Sequence, residues 1–291
     1  TKKLKGIENM EKKQELLKPR NDYVFQSLFT QKNEEITKNF ISALLNEKVE
    51  KIKINDTKEL FRENPEDKLG ILDLEAEINE KEKVDVEIQI VDRHNFTERL
   101  LFYFSRLYSM QVKIGQKYEN AKRVVMIAII DYDLEVTKNI EKMETIWNLR
   151  EKNKNEIVLT DKIEFRIIEL KKVIKEYEKN KENEKAQWMM FINNPNDMEV
   201  QEIMKENKEI KEATVEIVKM SQDEKIRKLA ELREKAIMDE KAVFDAGKED
   251  GIQQGELQTK INIAKNMKNK KIDINIIVEV TGLTKEEIEK I

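Results

Sequence analysis

The stretch ILDLEAEINEKEKVDVEIQI, residues 71–90, decides the fold. Two runs of strict alternation, 71–78 and 84–90, flank the polar connection Asn-Glu-Lys-Glu-Lys at 79–83, which is the pattern of two strands joined as a hairpin. Leu72, Leu74, Ala76, Ile78 and Val84, Val86, Ile88, Ile90 are the apolar teeth. Side chains alternate across a strand, so Asp73, Glu75 and Glu77 share one face of the first run, and Asp85, Glu87 and Gln89 one face of the second.

Upstream, Phe25, Leu28, Phe29, Ile36, Phe40, Ile41, Leu44 and Leu45 recur at helical spacing. Residues 49–55 alternate as a first strand, and 57–70 read as a loop. Downstream, 96–118 carries Leu100, Leu101, Phe104, Leu107 and Tyr108 on one face and predicts a long helix packed on the sheet. Residues 124–130 form a continuous apolar run, as in a strand buried on both faces. A further strand over 163–170 and a helix over 186–192 with Trp188 and Phe191 complete an α/β part. The order is helix, three strands, helix, strand. From residue 197 the pattern turns helical and rich in Lys and Glu, so the expected division is a basic extension (1–20), an α/β domain (21–195), a helical region (196–258) and a two-helix tip (259–291). In that tail Gly247, Gly251 and Gly255 fall on one helix face, which calls for a packing reason or a break. Thr284 and Glu287 have capping-box spacing.

The whole sequence has 55 Lys and Arg against 59 Asp and Glu, a net charge of −4, which excludes a dedicated basic polymer binder. With 39 % hydrophobic residues it can bury a sizeable core. The longest apolar run, seven residues, is far below the ~18–20 that span a bilayer. No apolar leader stands in residues 1–15, and without Cys there is neither a disulfide framework nor a thiolate metal site; the expectation is a cytoplasmic protein with no membrane partner. His94 is the only His, which leaves no His-based triad or zinc site and reads best as an exposed loop residue. P-loop, dinucleotide-binding and zinc-finger patterns are absent.

Chemistry therefore falls to carboxylates. Asp73 and Glu87, 14 residues apart on adjacent strands, can meet across the hairpin as a hard all-oxygen site for Mg²⁺ or Mn²⁺ that would activate water against a phosphodiester. The same alternation fits a hairpin whose acidic face is simply solvated, and spacing does not choose between the two. Arg99, Tyr103 and Arg106 form a stripe opposite the apolar face of the helix starting at 96, with Arg99 the candidate for positive charge at the site or, equally, for a phosphate contact or a surface ion pair.

The strings RNDYVFQSLF (20–29), ILDLEAEI (71–78), VDVEIQIV (84–91), RLLFYFSRLYSMQVKIGQKY (99–118) and LTDKIEFRIIEL (159–170), in this order, closely resemble the recombination-promoting nuclease family, Rpn, described as transposases of the PD-(D/E)XK nuclease superfamily. The tail from EKAVFDAGKEDGIQQGELQ (240–258) to the end looks like that family's C-terminal region. The resemblance implies the αβββαβ core of restriction endonucleases, a mixed sheet flanked by helices, followed by an all-α region. It implies that Asp73 and Glu87 hold the metal, with the Ile88 carbonyl between them, and that Gln89 stands where the superfamily has Lys. It also implies a link to recombination, mobile DNA or defence against phage. Asp22 matches the Asp of the N-terminal motif and could approach the metal or cap its helix. Gln26 stands where relatives have Lys.

DNA is the expected partner, with RNA a lesser one. Positive charge concentrates in residues 1–20, at +4, and in 260–271, which holds five Lys and no acid, among them Lys265, Lys268, Lys270 and Lys271. Glu286 and Glu287 open the final helix and would repel phosphate, so assembly is favoured for the tip over DNA reading. Cutting two strands suits a homodimer through the C-terminal helices. The rival to a Mg²⁺-dependent DNA endonuclease is a catalytically weak DNA-binding and oligomerisation protein, for which Gln89 in place of Lys is the warrant.

Overall fold

The computed structural model describes residues 15–55, 73–92 and 95–291. Most of the basic extension, the expected 57–70 loop, the first two residues of the 71–78 run and His94 lie outside them. The chain divides into two compact units, Thr1–Ile237 and Met238–Ile291.

In the first unit, helices α1 (Asp22–Leu28) and α2 (Glu34–Leu45) precede strands β1 (Ile52–Asn55), β2 (Leu74–Ile78) and β3 (Glu82–Gln89). Helix α3 (Phe96–Ser109) leads to β4 (Arg123–Ile130), followed by β5 (Glu144–Trp147) and β6 (Ile163–Glu169). Helices α4 (Val173–Lys179), α5 (Glu184–Asn193), α6 (Met198–Glu206) and α7 (Lys208–Gln222) follow, and α8 (Glu224–Asn269) runs on into the second unit. The strands form one mixed sheet in the order β1-β2-β3-β4-β6-β5, antiparallel except for the parallel pairs β3–β4 and β4–β6. The chain is thus an α/β protein with a mixed sheet flanked by helices and a long helical C-terminal region. No helix among the described residues is long and apolar enough to cross a membrane.

Alternation sends the two faces of the sheet to different cores. Leu74, Ala76, Ile78, Val84, Val86 and Ile88 join Phe25, Phe29, Phe40 and Trp188 in the larger core, to which α6 and α7 add Val200, Ile203, Ile210 and Ile217. Phe29 stacks on Phe40 with ring centres 4.3 Å apart, and Trp188 meets Phe40 edge-on at 5.3 Å. The opposite face packs Val124, Met126, Ala128 and Ile130 of β4 against Phe96, Leu100, Tyr103, Phe104 and Leu107 of α3. Strand β4 is apolar from Val124 to its end because it is central and covered on both sides.

Three features depart from the pattern reading. Helix α3 ends at Ser109 rather than near Tyr118, because its apolar period gives out and Gly115, at φ +85°, takes a left-handed backbone that a helix excludes. Tyr103 is buried in the α3 core instead of lying opposite it, while Leu101 is half exposed; the apolar face is rotated toward 96, 100, 103, 104 and 107. Strand β5 carries no alternation, since it is a four-residue edge strand that leaves Ile146 and Trp147 partly exposed.

Arg166 on β6 ties the sheet to α2. Its guanidinium donates to the Leu44 carbonyl (2.9 Å) at the helix end and to Glu164 (2.7 Å), and lies 3.5 Å from Glu144, which also accepts from the buried Lys185 (2.5 Å). Arg166→Met strips those carboxylates of a buried partner and is expected to cost about 3 kcal/mol of unfolding free energy in urea titrations.

Candidate active site

Register builds the site. β2 and β3 pair Leu74 with Val86 and Glu75 with Asp85, so Asp73, one residue before β2, meets Glu87. The Asp73 backbone N–H donates to Glu87 Oε1 (3.3 Å), and the Ile88 N–H donates to Asp73 Oδ2 (2.8 Å). The other Asp73 oxygen, Oδ1, accepts from Gln26 Nε2 of α1 at 2.8 Å. Gln26 is the contact that spacing along the chain did not reveal; its one sequence signal was its place in the motif beginning at Arg20.

This acidic face is not solvated. Asp73, Glu75, Asp85 and Glu87 are all buried, Asp85 completely and Glu87 to within 2 %. Glu75 is compensated by Lys83 (2.9 Å) and the Asn55 amide (2.8 Å), and Glu77 by Lys122 (2.5 Å). Asp85 and Glu87 are less well served. Burial pushes the Glu87 carboxyl well above the usual carboxylate range, and the charges of Asp73 and Asp85 push it further, against the pull of Arg99 and the Asp73 N–H. Burial likewise raises Asp85, with Asp73 and Glu75 adding to it.

Among the described residues, buried polar atoms without a hydrogen-bond partner are both carboxylate oxygens of Asp85, the Gln89 amide nitrogen and Glu169 Oε2 on this face, and Arg123 Nε on the other. Gln89 is held by its other end, where Oε1 accepts from the Tyr132 hydroxyl at 3.4 Å. Buried groups left unpaired are costly, so each of these atoms lacks the compensation that buried polar groups ordinarily have. Arg99 stands in the first turn of α3, where its guanidinium donates to the Tyr103 hydroxyl (3.4 Å) and lies 5.7 Å from that ring's centre. Tyr103 therefore orients Arg99 from within the core.

Among the described residues, no three His, Asp or Glu side chains converge as a ready-made cation cage. The available set is two carboxylates and a backbone carbonyl: the Ile88 N–H faces Asp73, and in a strand a residue's C=O points to the same side as its N–H. An all-oxygen set that leaves most positions to water fits the habits of Mg²⁺ and Mn²⁺.

Asp22 is placed one turn before Gln26, and its carboxylate is gripped by Arg233 of α8, whose Nε donates to both oxygens at 2.8 Å. The cap of α1 is Asn21, whose side chain accepts from the Tyr23 and Val24 N–H groups. In the second unit, α9 (Ile274–Thr281) and α10 (Lys285–Lys290) join through Gly282 at φ +68° and pack Ile277, Leu283 and Ile288 on Ala264. Thr284 and Glu287 form the capping box. Lys265, Lys270 and Lys271 are exposed there, whereas Lys268 donates to the last carbonyls of α10, Ile288 (3.0 Å) and Glu289 (3.1 Å). Gly247, Gly251 and Gly255 lie in an unbroken helix, with nothing within 4 Å of where a Cβ would stand.

Both Asp85 and Glu87 have raised folded pKa values, so the stability they permit is full at acid pH and is lost as pH rises through those values. Asp85→Asn is expected to stabilise the cation-free protein by about 1–3 kcal/mol near pH 7.5, the gain shrinking toward about pH 5, as read by urea unfolding at the two pH values.

No curated protein and no solved structure matches the chain. Family profiles do: the PD-(D/E)XK nuclease family transposase over residues 19–247, and the Rpn/YhgA-like nuclease family, C-terminal HTH domain, over 257–291. The first match contains the whole sheet and the paired acids, and the second contains the α9–Gly282–α10 turn. With both parts matched in order along nearly its full length, the chain belongs to the Rpn family of PD-(D/E)XK nucleases.

Proposed function

We propose that this chain is a Mg²⁺-dependent DNA endonuclease, with Mn²⁺ able to substitute. The observation that carries the reading is the buried pairing of Asp73 with Glu87 on a face where Asp85 and Gln89 keep unpartnered polar atoms. Asp73, Glu87 and the Ile88 carbonyl would hold the cation, whose chemistry there would be to lower the pKa of water and to act as a Lewis acid toward the phosphoryl oxygen. Gln89, steadied by Tyr132, offers its free amide hydrogens to the attacking water. Arg99, oriented by Tyr103, faces the negative charge that builds on the phosphoryl oxygens as water adds to phosphorus and the ester oxygen leaves. Asp22, if drawn from Arg233, would be a further carboxylate on the same helix face as Gln26.

The tip, expected from Glu286 and Glu287 to serve assembly before DNA reading, matches a family HTH domain, and on that match we read it as contributing DNA affinity through Lys265, Lys270 and Lys271, with Lys268 holding α10 in place. A homodimer through the C-terminal helices would bring two sites to one duplex. A cytoplasmic role in recombination, mobile DNA or defence against phage is consistent with such an enzyme. The second reading, a DNA-binding and oligomerisation protein of weak turnover, is favoured by Gln89, whose neutral amide cannot replace an ammonium.

Cleavage of supercoiled plasmid and single-stranded oligonucleotide separates the two. Mg²⁺ or Mn²⁺ should support nicking and a chelator should stop it. Asp73→Ala and Glu87→Ala, checked for folding by circular dichroism, are expected to lower the rate by about a hundredfold or more, and Arg99→Ala by about a hundredfold. Binding without metal-dependent cutting, or mutants that cut as well as wild type, would establish the second reading. For the tip, alanine at Lys265, Lys270 or Lys271 should each flatten the slope of log affinity against log salt by about one, measured by fluorescence anisotropy.

A further inference from the structure

Helix α1 reaches the site through Gln26, and the structure shows what holds α1. Its inner face, Val24, Phe25 and Leu28, is fully buried and fixes its depth. Its seven residues make barely two turns, so polar contacts at its first turn act together with that burial in setting its orientation. Arg20, just before α1, is tied to the Ile192 carbonyl through its backbone N–H, and the Asn33 amide donates to the Leu28 carbonyl at the far end, but the side chains of Asn21 and Asp22 are held by α8. The Asn21 amide donates to the Ala230 carbonyl at 3.0 Å, and Arg233, three residues further along α8, forks onto Asp22. Asp22 and Gln26 are four apart and therefore lie one above the other on one face of α1. Gln26 in turn donates to Asp73 Oδ1 at 2.8 Å, while the Ile88 N–H fixes Oδ2. One donor to Asp73 thus sits on the rigid sheet and the other on a helix whose first turn is gripped by α8.

We propose that Arg233 is a positioning residue for the site: by clamping Asp22 it sets the rotation of α1 and so the Gln26 contact that aims the Asp73 carboxylate. The inference rests on the reading of Asp73 as a cation ligand, and it gives Asp22 a task other than approach to the cation. Planarity matters to it. A guanidinium fork fixes both the distance and the direction of a carboxylate, which an ammonium does not.

The test uses the full chain and reads Mn²⁺ binding by calorimetry alongside Mg²⁺-dependent cleavage. Arg233→Ala is expected to weaken Mn²⁺ binding about threefold to tenfold and to lower kcat with KM for an oligonucleotide unchanged, with Arg233→Lys recovering only part of the loss. Gln26→Ala should show the same Mn²⁺ deficit, and the double variant should be no worse than Gln26→Ala alone, since both act on one contact. Additive deficits, a rise in KM alone, or a lowered Tm with wild-type Mn²⁺ affinity would each overturn the proposal, the second by making Arg233 a phosphate contact and the third by making it a structural ion pair. Asp73→Ala separates this failure from that of the cation reading. If it leaves Mn²⁺ binding intact, the cation reading falls and this inference with it; if it abolishes binding while Arg233→Ala changes nothing, only this inference falls.

Discussion

Two like-charged carboxyl groups, Asp73 and Glu87, are brought together by strand register in a place where water does not screen them. Separating them would mean slipping β2 against β3, and a slip of one residue would turn Leu74, Ala76 and Ile78 out of the larger core. The core thus enforces an arrangement that electrostatics alone would not choose. Part of the repulsion is offset locally, by Arg99 near Glu87 and by donors from Ile88 and Gln26 on Asp73. What is not offset remains as the raised carboxyl pKa values of Asp85 and Glu87 and as unpaired polar atoms. A divalent cation among these oxygens would relieve the repulsion, which is why burial here argues for a ligand rather than for stability.

The surrounding elements make sense as supports for that face. Helix α3 covers the apolar part of it with Phe96, Leu100, Phe104 and Leu107 and turns Arg99 toward the acids. On the opposite side α1 and α2 bury a cluster of stacked aromatics, and Arg166 pins the end of α2 to β6. Helices α6 and α7 belong to that same core, so the α/β part and the first of the C-terminal helices are stabilised together. The second unit keeps a small core of its own around Ala264 and Ile277.

Much of this was legible along the chain. The alternation of 71–78 and 84–90, the unbroken apolar run of β4 and the helical period around Phe40 and Phe104 are local signals, and each produced the element they predict. Asp73, Glu87 and Gln89 could be singled out because strand periodicity and the family motif agree on them. The end of α3 is not legible along the chain, because a fading period looks like a polar helix surface until Gly115 takes its left-handed turn. Strand β5 leaves no signal along the chain, because an edge strand of four residues has no need to alternate.

The amino-acid sequence by itself determined the order of elements, the faces of the hairpin and the membership of the family, since all three depend on periodicity and on motifs read along the chain. Only the tertiary structure decided that the acidic face is buried, that Gln26 rather than Asp22 touches Asp73, that Arg233 holds Asp22, and that Tyr103 lies in the core under Arg99. Burial and pairing between residues separated by 47 or 211 positions depend on how the helices pack, and no spacing within the sequence encodes that distance.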